Sequence, residues 1–134
     1  AKNIQFNEKD NKKAKKNAIE ESIYTKFFFS GKDSEKKIKV IYEDSKKFST
    51  SDYKNMFDLI FIDGSHSYSY IKNDTEKAIE MAKDNALIFW HDYIMYKNST
   101  SDVVKYLNSI SKEYKIMHIK NTNLCFLRYL DNVR

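Results

Sequence analysis

Asp63, His66, His91 and Asp92 are the side chains of this sequence whose types and spacing could do chemistry. Two aspartates offer the hard oxygen ligands that suit Mg²⁺ or another divalent ion that keeps several waters. His91 would add a third ligand, better matched to Mn²⁺, Fe²⁺ or Zn²⁺ than to Mg²⁺. His66 is a candidate general base, since an imidazole titrates near neutral pH. The bland alternatives stay open: either aspartate could simply cap a helix or turn, and His91 could be a satisfied, half-buried histidine.

These residues sit where two elements end. Asp63, Gly64, Ser65 and His66 close the apolar run Phe57-Asp58-Leu59-Ile60-Phe61-Ile62, and His91-Asp92 closes Ala86-Leu87-Ile88-Phe89-Trp90. Both runs have strand length, and their nearly continuous apolar character predicts strands buried on both faces. A helix-length segment to about Lys83 lies between them, with Ile71, Thr75, Ala78, Ile79 and Ala82 on one face and Ser67 or Ser69 as its cap. If the two strands are parallel neighbours, all four side chains meet at the carboxyl edge of the sheet, where open α/β sheets hold their ligands. Gly64 permits a close backbone approach or a positive φ there.

The remaining elements follow from the same patterns. Asn3–Asn7 is a short strand candidate, and Glu8 to about Tyr24 reads as a helix with a thin stripe of Ala14, Ala18, Ile19 and Ile23. Phe27-Phe28-Phe29 reads as an aromatic plug before the turn Ser30-Gly31-Lys32-Asp33. Lys37–Tyr42 is rich in branched residues and predicts a strand, closed by Glu43-Asp44-Ser45. Lys83-Asp84-Asn85 makes a turn in which Asn85 takes the left-handed conformation. Ser101-Asp102 caps a helix to about Lys112 with Val103, Val104, Leu107 and Ile110 inward. Lys115–Ile119 and Leu124–Tyr129 form a terminal hairpin around Asn121-Thr122-Asn123. The order β-α-β-β-α-β-α-β-β argues an α/β fold with a mostly parallel sheet and an antiparallel strand pair at the C-terminal end.

Composition bounds the rest. With 134 residues, 41% of them hydrophobic and 15% aromatic, the chain can bury one domain core. No apolar run approaches the ~20 residues that span a membrane, and the expected location is the cytoplasm. Cys125, the single cysteine, has no internal disulfide partner and reads as a buried apolar side chain. The net charge of +5 comes almost entirely from Lys, with Arg only at positions 128 and 134. A nucleic-acid face recruits Arg for bidentate contacts, so the charge reads as a solvated surface. His118 reads as structural and Trp90 as core; Tyr68 and Tyr70 divide evenly between pocket lining and packing. Two glycines, Gly31 and Gly64, cannot build a glycine-rich phosphate loop.

Phe57 to Tyr68, Lys72-Asn73-Asp74 and Ile88-Phe89-Trp90-His91-Asp92-Tyr93 resemble the class I S-adenosylmethionine-dependent methyltransferases. The resemblance is closest to the branch of macrocin-type sugar O-methyltransferases and cephalosporin-hydroxylase-like proteins, and runs from about Ile38 to Leu127. It implies a Rossmann-like sheet with an antiparallel last strand. It implies that Asp44, with Ser45, contacts the adenine end of S-adenosylmethionine, and that Asp63 and Asp92 bind metal. It also implies that His66 is the base on the acceptor hydroxyl of a small molecule. The position of His91 is often acidic in such enzymes. Glu8 stands about where a ribose-binding acid would, and Gly64 falls at the cofactor side of its turn. The family's opening strand and glycine-rich turn have no counterpart, so the domain reads as incomplete at its N-terminal end. A second copy of the chain is one way to fill the vacant strand position.

Overall fold

The computed structural model describes residues 27–94 and 98–130. The expected strand at Asn3–Asn7, the expected helix from Glu8 and the candidate ligand Glu8 lie outside the described residues. Among the described residues four strands form one mixed sheet: β1 (Phe57–Ile62), β2 (Ala82–Trp90), β3 (Ile116–His118) and β4 (Cys125–Arg128). Their order is β1-β2-β4-β3. β1 and β2 are parallel, and β4 runs against both β2 and β3. The architecture is an α/β fold with a mixed sheet, as the element order implied, and it is Rossmann-like, as the resemblance implied.

Two helices cover one face of this sheet. α1 (Tyr68–Met81) buries Ile71, Thr75 and Ala78, the i, i+4, i+7 stripe of its sequence. α2 (Ser101–Ile110) buries Val103, Tyr106 and Leu107. Both pack on Ala86, Ile88 and Trp90 of β2 and on Cys125 and Leu127 of β4, with Ile60 and Ile62 of β1 at the margin. Trp90 is 1% exposed, and its indole N–H donates to Thr75 Oγ1 at 2.9 Å. The Cys125 thiol is buried in the same cluster, and that burial pushes its pKa up to about 11.

Three expectations change. β1 is not buried on both faces: Phe57, Leu59 and Phe61 are 38, 59 and 50% exposed. Side chains alternate across a strand, and both helices lie on the Ile60/Ile62 side. Continuous apolarity shows that a strand could bury two faces, not that both are covered. Lys37–Tyr42 is not a strand. Asp33–Lys37 is a 3₁₀ turn, and the extended residues after it leave Ile38, Val40 and Ile41 more than 40% exposed. Branched residues favour extended backbone, but a strand exists only when its N–H and C=O groups are laddered. No described strand lies alongside this segment. Finally, Phe28 is no plug, being 91% exposed, although Phe27 and Phe29 stack at 5.1 Å.

The Lys83-Asp84-Asn85 turn is present in altered form. α1 passes into β2 at Ala82, and the strand then makes an excursion. Phe57 pairs with Ala82, while Leu59 pairs with Leu87, so two steps on β1 match five on β2. Asn85 takes φ +67 within it. Asn85 N–H donates to the Tyr129 carbonyl, and Tyr129 N–H donates to the Ala86 carbonyl, both at 2.8 Å. After the excursion the register is regular and carries Ile62 beside Trp90.

Candidate active site

That register builds the site. Because Ile62 pairs with Trp90, the next residues on each strand are Asp63 and His91. The His91 N–H donates to the Ile62 carbonyl at 3.0 Å, which holds the two strand ends together. The chain then turns sharply at Asp92, which adopts φ +62. Asp is one of the few residues that tolerates a left-handed backbone, at some cost. The kink is tied by Ile94 N–H to the Asp92 carbonyl and by Tyr93 N–H to the Asn123 carbonyl. It directs the Asp92 carboxylate back over the sheet edge.

Asp92 is the hub. Its Oδ2 lies 2.8 Å from His66 Nε2, and its Oδ1 lies 3.2 Å from His91 Nδ1. The ionised carboxylate only accepts, so His66 Nε2–H is the donor in this contact. Burial works to raise the Asp92 carboxyl, but the contacts and charge of His91 and His66 outweigh it, and its pKa lies below the ordinary carboxylate value.

His91 Nδ1 is buried yet has no hydrogen-bond partner among the described residues. It stands 3.5 Å from Asp63 Oδ1 and 3.2 Å from Asp92 Oδ1, but off the line of a bond to either. One ligand atom from each of Asp63, His91 and Asp92 falls within a 4.8 Å set. A buried imidazole nitrogen facing two carboxylates without a hydrogen bond is the donor set that a divalent cation would satisfy. The adjoining cavity is about 10 Å³, lined by Gly64, Ser65, Ile71 and Val103 among others. That is close to the space of a single water or ion.

The turn between Asp63 and α1 is held from two sides. A Cβ on Gly64 would come within 3.3 Å of Asp74 Oδ2, so the glycine serves close approach to the helix; its φ is not in the left-handed region. Ser67 occupies the N-cap position without capping through its side chain. The Tyr68 N–H is taken instead by Asp102 Oδ2 of α2, at 3.2 Å. The sequence suggested that Asp102 caps its own helix; the long-range partner carries no signal in local pattern.

The four strand-end residues thus come together, while the candidate adenine contacts form a separate cluster. Asp44 begins a short turn, its carbonyl accepting from Lys47 and Phe48 N–H. Its Oδ1 accepts from Lys46 N–H and its Oδ2 from the Tyr70 hydroxyl. The Ser45 carbonyl accepts from Lys77. Neither residue lines the small cavity beside Asp63. His118 lies away from the site, its Nε2 2.8 Å from the Thr122 carbonyl and its ring 5.3 Å from Tyr93.

Residues 5–93 match the family model described as a methyltransferase domain. The match covers well over half of the 134 residues. The chain belongs to that methyltransferase family. A search of curated proteins gives no match. Methyltransferase domains of this kind generally use S-adenosylmethionine, and both strand ends described above fall within the matched span. Among the described residues of the methyltransferase domain, no helix is long and apolar enough to cross a membrane.

Proposed function

We propose that this methyltransferase domain transfers the methyl group of S-adenosylmethionine to a hydroxyl of a small acceptor, with a divalent ion, Mg²⁺ first among candidates. The convergence of Asp63, His66, His91 and Asp92 at one sheet edge carries the reading. Asp63, His91 and Asp92 would hold the ion, which would orient the acceptor oxygen and lower its pKa. His66 accepts the hydroxyl proton at Nδ1, because Asp92 fixes Nε2–H and stabilises the imidazolium that forms. When bound, S-adenosylmethionine would supply the methyl group to the acceptor oxygen, its sulfur–carbon bond breaking as the oxygen–carbon bond forms, with S-adenosylhomocysteine as the product. Asp44, Ser45, Gly64 and Glu8 are assigned to the cofactor side. Within the family, the sequence Asp63-Gly64-Ser65-His66 favours the macrocin-type branch and a sugar or natural-product acceptor.

Calorimetric titration with S-adenosylmethionine, with and without Mg²⁺, tests this directly. Binding heat is expected, together with a Mg²⁺-dependent rise in melting temperature that Asp63→Asn abolishes. A ligand at 100 times its dissociation constant stabilises by roughly 2.7 kcal/mol, enough to see. An unchanged shift in Asp63→Asn removes Asp63 as a ligand. Absence of heat at high micromolar cofactor favours the second reading, a family domain that does not hold the cofactor alone.

We further propose a homo-oligomer that completes the sheet. β1 is its margin among the described residues, and Phe57, Leu59 and Phe61 are exposed there. Open apolar strand edges pair readily. Light scattering should give a multiple of 16.0 kDa, reduced to the monomer by Leu59→Lys; a monomeric wild type refutes it.

A further inference from the structure

The turn that carries Asp44 is fastened to α1 at several points, and α1 is the helix that starts directly after the His66 turn. Tyr70 donates its hydroxyl to Asp44 Oδ2 at 3.2 Å. Lys77, two turns further along the same helix, donates to the Ser45 carbonyl and to the Phe48 carbonyl, the latter at 2.7 Å. Lys46 reaches back, donating to Ser69 Oγ at 3.1 Å, and its ammonium stands 4.1 Å from the Tyr70 ring centroid. Asp44 Oδ1 is meanwhile turned to its own Lys46 N–H at 2.9 Å. Both oxygens of the carboxylate are therefore oriented. A carboxylate has about four acceptor sites, so two remain for a ligand.

From this geometry we infer that Tyr70 is a positioning residue that aims the Asp44 carboxylate and thereby sets selectivity for an amino-substituted purine. The inference rests on the cofactor assignment of Asp44 made above and extends it to a residue of α1. The chemistry is direct. Adenine presents an exocyclic amine, a donor that a fixed carboxylate accepts. Hypoxanthine presents a carbonyl oxygen in that place, which an aimed carboxylate repels. Discrimination of this kind needs both the attraction and the repulsion held in position. Without the Tyr70 hydroxyl the carboxylate keeps its charge and its tether to Lys46 N–H but is free to turn, and both effects weaken. Lys77 supports the same turn through its backbone carbonyls, so it acts on the turn as a whole rather than on the carboxylate.

The experiment compares binding of S-adenosylhomocysteine and S-inosylhomocysteine to the 134-residue chain and to Tyr70→Phe. Wild type is expected to prefer the adenosyl ligand, and Tyr70→Phe to lose roughly tenfold of that preference, as for one charge-assisted hydrogen bond. The Mg²⁺-dependent melting shift should remain. Lys77→Met should weaken both ligands alike, with Lys77→Arg restoring them, since the turn and not the carboxylate is at stake. An unchanged preference in a folded Tyr70→Phe protein overturns the inference while leaving the cofactor assignment intact. No binding of either ligand to wild type overturns both, and an equal fall in both affinities reduces Tyr70 to a structural role and likewise overturns it.

Discussion

Asp92→Asn should cost methyl transfer about 10³-fold, more than any other single change at the site. Its carboxylate faces two ways, with Oδ2 on His66 Nε2 and Oδ1 toward His91 Nδ1. The amide would keep the left-handed backbone, which Asn tolerates as Asp does. It would lose a metal ligand and the charge that stabilises His66 as it takes a proton, effects of order 10²-fold or more each. The two losses act on one transition state, so they should combine less than multiplicatively. Turnover under saturating cofactor and Mg²⁺ is the measurement; a fall below tenfold would remove Asp92 from the chemistry. A stability signature accompanies it. A carboxyl held low in the fold stabilises the fold where the unfolded carboxyl is ionised, above about pH 4. That contribution fades as pH falls through the lowered folded value. Wild type should exceed Asp92→Asn in stability at neutral pH, without added metal, and the difference should close in acid.

Trp90→Ala should remove about 3–5 kcal/mol of stability, the range for truncating a large buried aromatic. Trp90 is 1% exposed at the centre of the cluster that joins α1, α2 and the sheet. The substitution also leaves Thr75 Oγ1, itself on a fully buried residue, without the indole donor. Trp90→Phe separates these effects: it keeps much of the volume, and the loss of the hydrogen bond alone should cost about 1–3 kcal/mol. Trp90 is the only tryptophan, so urea unfolding of the variants is followed by circular dichroism. A loss under 1 kcal/mol for Trp90→Ala would mean that the helices do not depend on this contact.

The strand ends were legible because both strands are apolar runs, and chemistry-bearing residues stop those runs abruptly at Asp63 and His91. The parallel pairing followed from the intervening helix. Asn85 was readable as left-handed from its residue type, although it lies in an excursion of β2 instead of a plain turn. What local pattern does not encode is which face gets covered and which distant group answers a given donor. Phe57, Leu59 and Phe61 look like core residues until the helices are placed. Asp102 on Tyr68 N–H and Tyr70 on Asp44 are tertiary contacts between residues 34 and 26 positions apart. Lys37–Tyr42 shows the converse, a sound extended preference with no strand alongside it among the described residues.

The excursion at Lys83–Asn85 fixes how the two strands align. Sliding β1 past β2 by two residues would keep every side chain on its proper face, so hydrophobic burial alone discriminates weakly against that error. The excursion makes the two strands unequal in length, and its bonds to Tyr129 tie β2 to the neighbouring strand as well. Only the native alignment sets residue 63 opposite residue 91. A molecule gripped by both strand ends would therefore favour the correctly aligned chain by mass action and act as a proofreader of the fold it binds.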